Sequence, residues 1–339
     1  MRTSLLAGIV AGLTLAACDS ATNPAAPPQP PLSSAATPSL EFRDLQLPAS
    51  ITQNAFDVSA FSISSSGLRL AGTTVKSDPD LGVVSHWFTL RLSGQFGDII
   101  ASAEGTENPT SGRAINDRGD LAGTRLNEQG VERPYIRLAG HGMTTLKLPG
   151  SVPSARAVAF GINNTPTVVG FYLPLVKDAG SSYLATVGGN GQSVTAISSG
   201  LRNPPIVGNV GVVGINDRGD FVGGVRDAAG VVHGFVVLHS PQGDRWVDIG
   251  AAQPGFWPDP NGVFLAGINN SRMFVGWSGN SGFFGWVNDD GTVRNLTRVD
   301  RVPVPDGQPA PLGTGLRGVS DDGVMVGNYN GIVFLVRVR

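Results

Sequence analysis

The chain has 339 residues, a formal charge of −2 and charged side chains at only 15% of positions. That balance excludes a nucleic-acid partner or an anionic membrane held by bulk charge. With 47 Gly, and Glu only at positions 41, 104, 107, 128 and 132, there is little from which to build long helices, and a single Cys excludes a disulfide framework.

In chain order, residues 1–17 read as an export leader. Met1 and Arg2 give a positive end, Leu5 to Leu15 an apolar stretch, and Leu15-Ala16-Ala17-Cys18 a small-residue ending. That ending resembles the bacterial lipobox, which implies that Cys18 is the lipidated first residue of an exported lipoprotein held on a membrane. Residues 18–39 then form an anchor and a tether rich in Pro, Ala and Ser, which cannot bury a core. No later apolar run reaches the roughly 18–20 residues that a spanning helix needs.

From residue 40 onward the chain is strands and turns. An Ile-Asn-x-x-Gly type of hairpin recurs with anchors at Ile63, Ile115, Ile162, Ile215, Ile268 and Val319, spaced 52, 47, 53, 53 and 51 residues apart. The fullest copies are Ala114-Ile115-Asn116-Asp117-Arg118-Gly119-Asp120 and Gly214-Ile215-Asn216-Asp217-Arg218-Gly219-Asp220. Asn and Asp bond their own backbone in such turns, and Gly takes positive φ freely. A period near fifty, all strand and turn, predicts propeller blades of four strands. Each first strand (A) ends in Ile-Asn and each second strand (B) ends its opening run in Val-Gly or Ala-Gly. Each third strand (C) carries an aromatic element: His86-Trp87-Phe88, Pro134-Tyr135-Ile136, Ser182-Tyr183-Leu184, His233-Gly234-Phe235, Phe283-Phe284-Gly285-Trp286 and Val333-Phe334-Leu335. The fourth (D) closes on Leu47, Ile99, Leu148, Ile197, Ile249 and Leu296.

Together these elements resemble the HAF repeat of bacterial extracellular proteins. The resemblance covers nearly everything after the leader. It implies a secreted or surface repeat protein and brings no active site with it. The turns also resemble the Asp-box hairpins of sialidases, without the trailing aromatic of that box.

The D anchors run out of phase with the A anchors, because Leu47 precedes Ile63 and the chain ends in a C strand. The expected fold is therefore an all-β, six-bladed propeller over residues 40–339, in which residues 40–48 complete the last blade and close the ring. Small residues at Gly161, Gly214, Gly267 and Gly318 fit strands converging on an axis.

No catalytic or metal constellation is legible, and no cofactor is expected. The four His, at 86, 141, 233 and 239, show no ligand spacing. Gly313-Thr314-Gly315-Leu316-Arg317-Gly318 matches a dinucleotide pattern without opening a helix. Arg118-Gly119-Asp120 and Arg218-Gly219-Asp220 read as repeated tight turns before adhesion tripeptides, and the aspartate pairs lack the six to eight oxygens or so that Ca²⁺ takes. The stretch Gln253-Pro254-Gly255-Phe256-Trp257-Pro258 puts two large aromatics on a long D-to-A connection, making Phe256 and Trp257 the candidate ligand contacts. The reading is a monomeric, lipid-anchored, extracytoplasmic propeller, acting as a non-enzymatic binding or scaffold module for a protein, peptide or glycan. The alternative is a hydrolase or lyase acting on extracytoplasmic glycan.

Overall fold

The structure, a computed structural model, describes residues 38–80, 82–105, 110–147, 156–173, 182–188, 191–197, 209–227, 229–252, 255–257, 262–299, 314–329 and 331–339. The leader, Cys18, the tether up to residue 37 and the D anchor Leu148 lie outside them.

The described residues form six antiparallel four-stranded sheets. The first strand in the chain, β1 (Leu40–Asp44), belongs to the last of them. Blade 1 is β2 (Ala55–Ile63), β3 (Arg69–Asp78), β4 (Gly82–Leu92) and β5 (Ile99–Glu104). Blade 2 is β6 (Thr110–Ile115), β7 (Leu121–Leu126), β8 (Glu132–Arg137) and β9 (Met143–Thr145). Blade 3 is β10 (Arg156–Ile162), β11 (Thr167–Leu173), β12 (Ser182–Gly188) and β13 (Gly191–Ile197). Blade 4 is β14 (Asn209–Ile215), β15 (Phe221–Arg226), β16 (Val232–Leu238) and β17 (Arg245–Asp248). Blade 5 is β18 (Phe264–Ile268), β19 (Met273–Ser278), β20 (Ser281–Val287) and β21 (Val293–Val299). Blade 6 is β22 (Gly315–Val319), β23 (Met325–Tyr329), β24 (Ile332–Val338) and the returning β1. Two single-turn helices, α1 (Ala49–Thr52) and α2 (Ile249–Ala252), interrupt the connections.

Neighbouring A strands touch all the way round: β2 with β6, β6 with β10, β10 with β14, β14 with β18, β18 with β22 and β22 with β2. This is a six-bladed β-propeller with the A strands on the axis. The hydrophobic core falls into six clusters, one at each interface between consecutive blades. Each sheet packs both faces against its neighbours, and the outermost strands, β1, β5, β9, β13, β17 and β21, are left as short outer edges.

The repeat's letters have a packing cause. In every blade a B-strand Gly stands opposite a buried C-strand aromatic: Gly72 and Phe88, Gly123 and Tyr135, Gly170 and Tyr183, Gly223 and Phe235, Gly276 and Phe283, Gly327 and Phe334. The ring lies flat across the backbone. A Cβ at Gly223 would come within 1.9 Å of Gly211 O and 2.9 Å of the Phe235 ring, so only glycine fits.

The closing strand pairs Leu40 with Val338 through to Asp44 with Phe334. Leu45 N–H still donates to Val333 O at 2.9 Å. Leu40 and Phe42 pack at the interface of blades 5 and 6, while Leu45 and Leu47 pack at that of blades 6 and 1. Arg43 bonds Asp98 and the Phe96 carbonyl of blade 1. One short segment thus stitches three blades. The D anchors sit less regularly than the A anchors: Leu47 and Ile249 fall just past their strands, because D is the outermost strand and its burial is patchy.

Candidate functional site

Two features converge on the axis, one at each end. At the hairpin end, the Asn of the turns in blades 2 to 5 closes its own turn and staples the next blade; blades 1 and 6 have Ser64 and Ser320 there. Asn216 Oδ1 accepts from Arg218 N at 3.0 Å and Asp220 N at 2.9 Å, while its Nδ2 donates to Asn269 O at 2.9 Å. Asn116, Asn163 and Asn269 repeat the donation, to Asn163 O, Asn216 O and Ser320 O. A second tier uses the following residue. Asp117, Asn164, Asp217 and Asn270 each donate N–H to the carboxylate or amide oxygen one blade on, at 2.6–2.9 Å. Asp321 N–H to Ser65 O and Ser66 N–H to Asp117 Oδ1, both 2.8 Å, close the circle across blades 6 and 1.

The two Arg-Gly-Asp turns belong to this belt. Asp120 and Asp220 are buried. Asp220 accepts from Asn216 Nδ2, His239 N and the Arg272 guanidinium, at 2.8–3.1 Å. Burial pushes the Asp220 carboxyl up, and the opposing bonds from Arg272, Asn216 and His239 hold it below its usual range. Such an aspartate is spent internally and is not presented as an adhesion group. Among the described residues no group of three or more His, Cys, Asp or Glu is placed to hold a metal. His86 bonds Gly105 O, and His233 sits between Asp227 and Asp248, so both serve links within their own blades.

The loop end of the axis differs. Each A strand carries a bulge at its inner edge, between Ala60 and Ser62, Gly112 and Ala114, Ala159 and Gly161, Val212 and Gly214, Leu265 and Gly267, and Leu316 and Gly318. The residue after each bulge is small because it lies against the next A strand: a Cβ at Gly214 would stand 3.2 Å from Gly267 Cα. The skipped residue has no ladder partner and is re-aimed. Those six, Phe61, Arg113, Phe160, Val213, Ala266 and Arg317, line a cavity of about 110 Å³ on the axis together with Phe264 and Trp277. A narrower space of about 60 Å³ continues toward the Asn belt.

Two of the six are arginines. Arg113 lies over the Phe61 ring at 4.2 Å and the Phe160 ring at 5.1 Å, and Arg317 over Trp277 at 4.0 Å. Phe264 packs on the other partner, its ring 4.5 Å from that of Trp277. Among the described residues neither guanidinium makes a hydrogen bond or an ion pair, and Arg317 Nε is buried with no acceptor. Burial lowers the Arg317 pKa to about 10, with the Arg113 charge adding to the effect. Burial lowers Arg113 as well, against a weaker pull from Glu132, whose carboxylate is bonded to Arg156 at 2.7 and 3.0 Å. The chain therefore keeps two half-buried cations that it does not pair, one of them with a buried Nε, an arrangement that an arriving anion would relieve.

The sequence-derived contacts, Phe256 and Trp257, are placed elsewhere. They are half-buried over the interface of blades 4 and 5. Trp257 meets Phe256 and Phe283 edge-on at 4.8 Å and donates Nε1–H to Gly250 O at 3.0 Å. Arg298 caps the Phe256 ring and donates to its carbonyl at 2.6 Å. Gly315–Val319 is a strand in the structure, so the dinucleotide-like pattern has no helix behind it; Gly313 lies outside the described residues. Arg113 and Arg317 escaped notice in the sequence. Their signal is a single repeat column, the residue before the small one, which reads Phe, Arg, Phe, Val, Ala, Arg while its neighbours stay alike.

No family model matches the chain, and no curated protein matches it. Among solved structures it is similar to TolB from Acinetobacter baumannii at 14% identity and a TM-score of 0.42, covering 71% of this chain and 57% of that one. The chain thus spans little more than half of that TolB. It is similar to a mutant of the Aleuria aurantia lectin in complex with alpha-methyl-L-fucoside, at 11% identity and a TM-score of 0.43, over 80% of this chain and 86% of the lectin. It is similar also to a mutant of AofleA from Arthrobotrys oligospora, at 12% identity and a TM-score of 0.41, over 86% and 83% of the two chains.

Proposed function

We propose that the protein is an exported, monomeric binding propeller, held at a membrane through lipid on Cys18, which takes a protein, peptide or glycan ligand at the loop end of its axis. The observation that carries this reading is the pair of half-buried, unpartnered arginines in an aromatic cavity, at an axial column where the repeats diverge. Recognition tends to sit where a rigid scaffold varies. A glycan-cleaving enzyme needs two placed carboxylates, and the described lining of the cavity is Arg, aromatic and aliphatic. On this reading Phe256 and Trp257, on the same loop face, serve as outer contacts.

The test of binding is retention on peptide and glycan arrays. The full chain is expected to retain one ligand class, and the Arg113→Met, Arg317→Met double variant to lose it. No retention by the parent overturns the reading. The anchor is tested separately: Cys18→Ser is expected to release the protein from the membrane fraction, and a variant that still sediments there overturns the lipid attachment.

A further inference from the structure

We infer that the axial cavity binds a free carboxylate, and that its ligand is the C-terminal end of a peptide whose last residue is small. This rests on the binding reading above and names the chemical group that is bound.

Two guanidiniums reach one cavity from blades 2 and 6, on either side of Phe61. Aromatic rings occupy the faces of both, Phe61 and Phe160 for Arg113 and Trp277 for Arg317. Stacking of this kind fixes the plane of a guanidinium and leaves its N–H edge to donate. Arg317 Nε, buried and without an acceptor, is such an edge already stripped of water. A planar carboxylate is the acceptor that matches the fork.

The rest of the cavity limits what carries the carboxylate. Its volume of about 110 Å³ is below the roughly 150 Å³ that lodges a benzene. A carboxylate with a few carbon atoms fits within it, whereas a pyranose ring would stand partly outside it. Val213 lies across the ring from Phe61, and Ala266 across from Arg113, so the facing wall is small and apolar. A strongly hydrated sulfate or phosphate finds nothing there to bond beyond the two arginines. A short apolar stub ending in one carboxylate satisfies charge and wall together, and a peptide terminus with a small side chain is such a stub.

The experiment is calorimetric titration of the full chain with N-acetylalanine, its neutral amide, glucuronate and inorganic sulfate. N-acetylalanine is expected to bind, with the amide weaker by about tenfold or more, the scale of one lost charge-assisted contact. Arg113→Met and Arg317→Met are each expected to give a loss of about the same size while keeping or raising the melting temperature, since each removes a half-buried charge that the chain leaves unpaired. Arg113→Lys and Arg317→Lys keep the charge without the fork and are expected to recover only part of the binding. Equal binding of acid and amide, tighter binding of glucuronate or sulfate, or arginine variants that bind like the parent each overturn the assignment. Array binding that survives amidation of the peptide overturns the carboxylate and leaves the binding function standing. Absence of any array binding overturns the function itself.

Discussion

The two ends of the axis are made from the same six strands and are opposites in hydrogen bonding. At the hairpin end, the Asn of four turns satisfies its own backbone and its neighbour's, Ser64 and Ser320 take its place in the other two, and the belt closes on itself. At the loop end, three residues earlier in the same strands, two half-buried charged side chains have nothing to bond among the described residues. The difference teaches how a repeat divides its labour. Positions that touch the next blade must stay alike, because each is both donor and acceptor in a ring. Positions that point into the axis meet one another by ring and cation contacts and not by a hydrogen-bonded relay, so they are free to differ.

Cutting the circle affects both ends at once and has the largest expected effect. Deleting residues 40–48 removes Leu40, Phe42, Leu45 and Leu47 from two interfaces. Full burial of such a side chain is worth roughly 1.5–3 kcal/mol; Leu45 is buried and the other three are half-buried, so the loss is a large share of a domain's net stability of about 5–15 kcal/mol. The deleted protein is expected to lose its cooperative melting transition, and calorimetry checks this.

Breaking the belt alone comes next. Asn216→Ala strips an acceptor from the Arg218 and Asp220 N–H groups and a donor from Asn269 O and Asp220 Oδ2, all but the Arg218 bond buried. Each buried group left unmet costs about 1–3 kcal/mol, so a loss of about 3 kcal/mol is expected by urea denaturation. The matching change at the other end, Arg317→Met, is expected to leave stability within about 1 kcal/mol of the parent or above it. If both substitutions destabilise alike, the contrast between the ends fails.

Acid sharpens the same comparison. Asp120 and Asp220 have folded pKa values held below their usual range, burial opposing and hydrogen bonds prevailing. A depressed carboxylate stabilises the fold fully above its unfolded value, near 3.9, and loses that contribution as pH falls toward the folded value. The belt is therefore expected to weaken below about pH 4, read as a falling melting temperature. Asp220→Asn is expected to flatten part of that slope.

Much of the scaffold is legible in the sequence. The Ile-Asn-x-x-Gly spacing marks the blades, and the phase slip between Leu47 and Ile63 announces the closure. The chemistry of the axis is not, for a geometric reason. Arg113 and Arg317 point inward only because a bulge slips each A strand by one residue, and a slip of one sends a side chain to the other face. Strand alternation carries no record of it. Nor does linear order reveal that residues of blades 2 and 6 share a cavity. Phe256 and Trp257 stood out for the opposite cause: large aromatics among prolines are conspicuous, while the packing against Phe283 and the bond to Gly250 that occupy Trp257 are set by the fold.

The pairing of β1 with β24 also sets a timetable. Leu40 faces Val338 across almost the whole length of the chain, so the first strand to leave the ribosome waits for the last. Until Ile332–Val338 has been made, β1 has no partner, and Leu40, Phe42, Leu45 and Leu47 stay in water. Blades 1 to 5 are each complete in local sequence and can assemble in order, but the final step joins the two most distant segments and bears the cost of closing the largest loop. Synthesis of Ile332–Val338 is thus the event that permits the ring to close, and a product lacking that strand advertises itself by a sticky, unpaired β1.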